Sequence, residues 1–282
     1  MGEVISGKVI AEEIREEIKR SIEDAKDKGY RVPCLVTILV GNDGGSIYYL
    51  NNQRKLCEKL GLESKAILLE ENIKEEELIS LIKKLNEDKT VDGIMLQLPL
   101  PKNFNEALVT NSISPEKDVD GLTDYNNGKF YKGQDAFVPC TPRSVLHLIK
   151  STGVDIKGKN AVVIGRSNIV GKPVAQLLLN ENATITICHS KTQNIKEVCK
   201  NADIIVVAIG RPLFLDDSFV KEGAIVIDVG TSSVDGKITG DVDFEKVINK
   251  SGHLTPVPGG VGAVTTTLLL KNTCEAWEKN VY

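Results

Sequence analysis

Apolar residues recur at every fourth position through residues 7–28, where Ile10, Ile14, Ile18 and Ile22 stand among charges. That spacing gathers one apolar face and predicts an amphipathic helix ending at Gly29. An unbroken apolar run at 34–40 has strand length. The pattern then predicts a helix over 46–60 stopped by Gly61, a strand at 65–69, a helix at 74–87 and a strand at 93–98. Short apolar strands separated by helices imply a parallel sheet covered on both faces. From 99 to 142 the periodicity fails, and prolines, glycines, Asp118, Asp120 and asparagines form a long irregular stretch. Loops of that length in compact proteins tend to carry function or to link domains. Regularity returns at 143–150, followed by a second series of strands near 160–164, 184–188, 204–208 and 224–228. The segment 231–242, centred on Asp235-Gly236, predicts a β-hairpin. A closing helix is expected at 263–279.

Composition narrows the class. At 282 residues the chain has room for about two domains. Hydrophobic residues make up 41% and charged residues 26%, which excludes a disordered chain. A formal net charge of −4 gives no global positive field, so no nucleic-acid partner is expected. No run of 18 apolar residues and no signal-peptide core are present, so we expect no membrane association and a cytoplasmic protein. The six cysteines are scattered, without a C-x-x-C pair or clustered histidines. They are read as buried reduced thiols, and no metal site is expected.

The clearest chemistry lies at Gly165-Arg-Ser-Asn-Ile-Val-Gly-Lys-Pro173, between the strand 160–164 and an apolar helix at 174–179. A strand, a glycine-bearing turn and a helix start form a phosphate cradle, because unpaired N–H groups and the helix dipole face the anion. The following strand ends Cys188-His-Ser-Lys-Thr192, with no acid to bind a ribose 2′-hydroxyl. Arg166 and Ser190 suit a 2′-phosphate instead, so NADP is the expected cofactor. In the first third, Gln53 follows Tyr49 by four residues, about 40° around the helix axis, so both are expected to point into one pocket. Gln97 lies within the apolar segment 93–98, where an amide needs a ligand or backbone partner. Lys117-Asp-Val-Asp-Gly121 places two carboxylates in the long loop; that spacing alone equally suits a turn or a weak cation site.

These stretches, with Ser46-Ile-Tyr-Tyr49, Arg54-Lys-Leu-Cys57, Gly93-Ile-Met-Leu-Gln-Leu-Pro-Leu-Pro101, Pro139-Cys-Thr-Pro142 and Thr255-Pro-Val-Pro-Gly-Gly-Val-Gly262, closely resemble the FolD family. Its members are bifunctional methylenetetrahydrofolate dehydrogenase/methenyltetrahydrofolate cyclohydrolases, and the resemblance runs through almost the whole chain in order. It implies an α/β fold with two domains around a cleft. Residues 1–140 plus 263–282 would form the folate-binding catalytic domain, completed by the C-terminal helix, and 141–262 a Rossmann-type dinucleotide-binding domain. A homodimer is implied, with the hairpin 231–242 as the candidate contact. Tetrahydrofolates are the implied substrates, bound through Tyr49, Gln97, Leu98, Pro99, Asp120, Pro258 and Gly259. Tyr49 would pack on the folate rings, Asp120 would hold the amine-bearing edge of the pterin, and Gln97 would tune a catalytic lysine. Gly165, Arg166, Ser167, Ser190 and Thr231 match cofactor-contacting positions.

One departure alters the chemistry. The family carries its catalytic lysine four residues after the tyrosine; here that position is Gln53. An amide exchanges no proton at neutral pH, and general acid–base catalysis typically contributes about 10²–10⁴-fold. Hydride transfer needs no proton from the protein, so the oxidation should persist while ring-opening hydrolysis becomes weak or absent. Arg54 and Lys55 lie about 100° and 200° around the axis from Gln53, poorly placed to substitute. Softer departures are Gly121-Leu-Thr-Asp-Tyr-Asn126, Gly262-Ala-Val-Thr265 and Thr231. The competing readings are a fully bifunctional enzyme with another proton carrier, and a silent dinucleotide-binding protein. A hydroxy-acid or amino-acid dehydrogenase is a third, for which His147, His189 and His253 offer no clear acid–base group.

Overall fold

The computed structural model of the protein describes residues 1–234 and 236–281. In chain order its elements begin with β1 (Glu3–Val4), α1 (Gly7–Asp27), β2 (Cys34–Val40), α2 (Gly44–Leu60), β3 (Glu63–Leu69), α3 (Glu75–Glu87) and β4 (Gly93–Leu96). Then come α4 (Glu106–Thr110), α5 (Asp124–Tyr131), α6 (Cys140–Ser151), β5 (Asn160–Ile164), α7 (Gly171–Asn180), β6 (Thr184–Cys188), α8 (Ile195–Cys199) and β7 (Ile204–Val207). The chain closes with β8 (Ile225–Asp228), β9 (Ser232–Val234), β10 (Lys237–Thr239), α9 (Phe244–Val247), β11 (His253–Leu254) and α10 (Val261–Val281). None of these helices is long and apolar enough to cross a membrane. Backbone contacts divide the chain into two units: 1–13 with 139–265, and 14–138 with the chain from 266 onward.

The unit containing residues 14–138 is built on a three-stranded parallel sheet in the order β3-β2-β4. Central β2 is buried along its whole length, because helices cover both faces. Cys34, Val36 and Ile38 share one apolar cluster with Leu78 and Ile82 of α3 and with Ile94 and Leu96 of β4. Asp43 caps α2 by accepting from the Ser46 backbone N–H at 2.8 Å, and Gly61 ends it in the left-handed region at φ 84°. The strand expected over 93–98 stops at Leu96, which leaves Gln97 just beyond it rather than inside it. The stretch expected to be irregular holds α4 and α5, of five and eight residues. Helices that short show too few turns for an apolar period to register; each is announced instead by a cap, Asn105 accepting from Leu108 N–H and Thr123 from Asn126 N–H.

The other unit carries a six-stranded parallel sheet, ordered β1-β11-β8-β7-β5-β6. From β5 the chain passes outward to β6 and then returns to β7 on the opposite side, so the sheet reverses direction at β5. The first residues of the chain reach this sheet: β1 pairs in parallel with β11, and Gly7 packs so tightly on Gly260 that a Cβ would lie 2.0 Å from its carbonyl oxygen. A two-residue strand has no period to read, so the sequence could not reveal it. β9 and β10 form the expected antiparallel hairpin, pairing Val234 with Lys237, while Asp235 lies outside the described residues.

Two buried carboxylates fasten the loops at one edge of this sheet. Asp228 accepts from the N–H groups of Gly230, Asp241 and Val242, each at 2.9 Å. Asp241 in turn accepts from Ile209 and Gly210 at 2.8 and 3.0 Å. Burial pushes the Asp228 carboxyl up to about 6, with neighbouring Asp241 adding to the rise. A folded-state value above the unfolded one means that the native state holds this proton more tightly. The stabilisation is therefore full below about pH 4 and is lost as pH rises through about 6, a change of about 3 kcal/mol. Asp228→Asn should lower stability, because its amide would face the Val242 N–H, yet abolish that slope. Urea unfolding of both proteins at pH 4.5 and 6.5 checks it; a stability difference unchanged between the two pH values would contradict the assignment.

Candidate functional site

α2 places Tyr49 and Gln53 one turn apart, but their side chains go to different places. Gln53 is fully buried: its Oε1 accepts from Thr37 Oγ1 at 2.8 Å, and its Nε2 donates to Met95 Sδ at 3.1 Å. Thr37 comes from β2 and Met95 from β4, so the amide is stitched across two strands of the sheet. Tyr49 is half-buried, and its hydroxyl oxygen accepts from Thr266 Oγ1 of α10 at 3.1 Å. The two side chains thus engage different partners, Gln53 within the sheet and Tyr49 on α10. Arg54 and Lys55, which flank Gln53, are exposed.

Gln97 stands at the end of β4, directly before Leu98, Pro99 and a cis Leu98–Pro99 bond. Its Nε2 donates to the Leu98 carbonyl at 3.1 Å, whereas its buried Oε1 has no hydrogen-bond partner among the described residues. A buried acceptor without a donor is costly, by about 1–3 kcal/mol, and marks a place where a donor belongs. Gln53 does not fill it, because its own amide is turned to Met95.

The paired carboxylates separate cleanly. Asp118 is buried and accepts from Leu122 N–H, Thr123 N–H, Thr123 Oγ1 and Asn126 Nδ2, at 2.7–2.9 Å. Burial pushes its carboxyl upward, and those four donors oppose the rise. Lys117 points the other way, donating to the carbonyls of Leu85 and Asp88 at 2.9 and 2.7 Å, and burial lowers its pKa. Val119 is held from α10, where Asn272 Nδ2 donates to its carbonyl at 2.7 Å. With its neighbours anchored, half-exposed Asp120 is the carboxylate presented at the surface of this turn.

In the other unit the β5–α7 turn closes tightly. A Cβ on Gly165, at φ 130°, would lie 2.3 Å from Ala208 O, and one on Gly171 would lie 2.4 Å from Gly165 O. Both positions therefore require glycine, and the β5 exit meets the β7 exit at the point where the sheet reverses, the usual crevice for a dinucleotide. Ser167 accepts from Val170 and Gly171 N–H at 3.2 and 3.3 Å through its hydroxyl, and from Lys172 N–H through its carbonyl. The first donors of α7 are thus engaged within the loop, not left open as the sequence suggested. Arg166 and Ser190 are both exposed, each two residues beyond the paired Ile164 and Cys188 on adjacent strands. No acid stands at the β6 exit; a turn closed by Thr192 on His189 presents Ser190 and Lys191. These donors fit a 2′-phosphorylated dinucleotide. Thr231 is exposed beside the hairpin, and Pro258 and Gly259 lie in the loop before α10, Gly259 at φ 106°.

A glycine-dependent Rossmann-type turn joined in one chain to an α/β unit that presents Tyr49, Gln97 and Asp120 defines a two-domain dinucleotide-dependent class. The chain belongs to the tetrahydrofolate dehydrogenase/cyclohydrolase family, FolD: the family's catalytic-domain model matches residues 5–120 and its NAD(P)-binding-domain model residues 139–281. The bifunctional protein FolD of Clostridium beijerinckii is 61% identical over 282 residues, covering 100% of both chains. A crystal structure of the bifunctional FolD enzyme from Campylobacter jejuni shares 44% identity and a TM-score of 0.97 over 100% of both chains. The Trypanosoma brucei methylenetetrahydrofolate dehydrogenase-cyclohydrolase, solved with NADP and an inhibitor, is 37% identical with a TM-score of 0.94, over 99% of this chain and 98% of its own.

Thr266, Thr37 and Met95 were missed by sequence reasoning, since a threonine in a helix or a methionine in a strand reads as ordinary packing. The contrast between the two aspartates is testable. Asp118→Ala should lower stability by about 2 kcal/mol or more, because it removes the acceptor of four hydrogen bonds, three of them buried, while Asp120→Ala, at a half-exposed position, should cost clearly less. Chemical denaturation of both variants reads this, and equal losses would refute the division of labour.

Proposed function

We propose that the chain oxidises 5,10-methylenetetrahydrofolate to the 5,10-methenyl form with reduction of NADP, and that its hydrolytic activity toward the methenyl product is weak. When bound, NADP supplies the hydride acceptor. The carbon bridging the two folate nitrogens loses a hydride, and the resulting positive charge is shared between those nitrogens. That step asks the protein for alignment rather than for a proton. Tyr49 offers a ring face for the folate, Asp120 a carboxylate for its paired N–H donors, and Arg166 with Ser190 the donors for a 2′-phosphate.

Opening the methenyl bridge is different, because the attacking water must lose a proton as it adds. The observation that carries our reading is Gln53, fully buried with both ends of its amide engaged by Thr37 and Met95. An amide acts as neither acid nor base at neutral pH, and Arg54 and Lys55 are exposed whereas Gln53 is fully buried. The partnerless Oε1 of Gln97 supports the same reading, as an acceptor whose donor is missing.

Gln53→Lys should raise hydrolysis of methenyltetrahydrofolate at least tenfold, within the roughly 10²–10⁴-fold range of a general base, and change the oxidation much less. Following the methenyl absorbance decay with both proteins decides it. A native protein that already hydrolyses as fast as it oxidises would reject the proposal and favour full bifunctionality; the same samples should prefer NADP to NAD. Tetrahydrofolates are the small-molecule partners, and the macromolecular partner we propose is a second copy of the chain, docked through the hairpin. Among the described residues its strands pair only with each other, and Val234 is 40% and Ile238 53% exposed. Light scattering should give a dimer mass that Ile238→Lys reduces to that of a monomer; a native monomer would remove the assignment.

A further inference from the structure

α10 carries three consecutive threonines, and each directs its hydroxyl differently. Thr265 bonds back to the Val261 carbonyl at 3.1 Å, the local habit of threonine in helices, and Thr273 does the same to Leu269 at 2.9 Å. Buried Thr267 accepts from Arg15 Nε of α1 at 3.1 Å. Thr266 instead reaches out of the helix to the Tyr49 hydroxyl at 3.1 Å. Two bonds fix the helix in rotation and height, Arg15 to Thr267 and Asn272 to the Val119 carbonyl. The same helix therefore anchors the turn that presents Asp120 and the far end of the Tyr49 ring.

Tyr49 is only half-buried, so packing alone leaves the swing of its ring about χ1 loosely set, and a bond at the far end of the ring restrains that swing most. A β-branched donor with few allowed rotamers, held by a pinned helix, restricts it. Stacking depends on the relative plane of the rings, and a reaction limited by alignment responds to small losses of order. We propose that Thr266 is a positioning residue for the oxidation: its hydrogen bond holds the hydroxyl end of Tyr49 and so fixes where the ring on which the folate stacks stands. This rests on the proposed reading of Tyr49 as the folate-stacking residue.

Thr266→Val removes the donor and keeps the shape, while Thr266→Ser keeps the donor. The first should lower kcat for methylenetetrahydrofolate oxidation about three- to tenfold, the effect of losing one ordinary hydrogen bond. It should also enlarge the isotope effect seen with substrate deuterated at the bridging carbon, and leave KM for NADP and Tm near native values. Thr266→Ser should restore most of the rate, and in a Tyr49→Phe background Thr266→Val should add nothing. A Thr266→Val enzyme with native kcat and isotope effect would overturn the inference alone, as would an equal further loss in the Tyr49→Phe background. A native protein that oxidises no methylenetetrahydrofolate would overturn the proposed function and this inference together, which keeps the two failures distinct.

Discussion

Parallel pairing is the constraint from which the rest of this protein follows. Two parallel neighbours cannot be joined by a tight turn, so each strand is followed by a helix or long loop that carries the chain back along the sheet. Every strand of a sheet then ends at the same edge, and so does every loop that leaves it. Gln97 at the end of β4, Gly165 and Arg166 beyond β5, and Ser190 beyond β6 are all strand-exit residues. Within the dinucleotide-binding unit the reversal of strand order at β5 parts the flanking loops, and Gly165 with Gly171 allows the backbone there to close up.

Buried polar groups set the positions of those exits. Asp118 gathers four donors around the turn that leads into α5, and Asp228 with Asp241 gathers five backbone N–H groups around the exits of β7 and β8 and the base of the hairpin. A buried carboxylate that accepts several N–H donors acts as a rigid node, since breaking one of those bonds leaves a polar group without its partner. Half-exposed Asp120 and exposed Thr231 then take backbone positions set by their buried neighbours.

Gln53 obeys the same rule with a different outcome. A fully buried amide needs both an acceptor and a donor, and Thr37 Oγ1 and Met95 Sδ meet both requirements within the sheet. The satisfied amide contributes packing and cross-strand connection rather than proton transfer. The separation of oxidation from hydrolysis that we propose rests on this one position.

The local pattern determined most of the elements, because apolar periodicity and capping residues act over a few neighbouring positions. The strands 160–164 and 184–188 coincide with β5 and β6, and the glycine-bearing turn was legible from residue type and spacing, whereas the roles expected of Tyr49, Gln97 and Asp120 came from the family resemblance. Tertiary structure decided what depends on groups far apart in the chain. It paired β1 with β11, and it buried Asp118 while leaving Asp120 half-exposed although they are two residues apart. It closed Gln53 between two strands and brought Thr266 to Tyr49 across 217 positions. A sequence records which groups can bond, but which of them meet is settled only when the sheet and its helices pack, because each polar group takes the partner that burial leaves within reach.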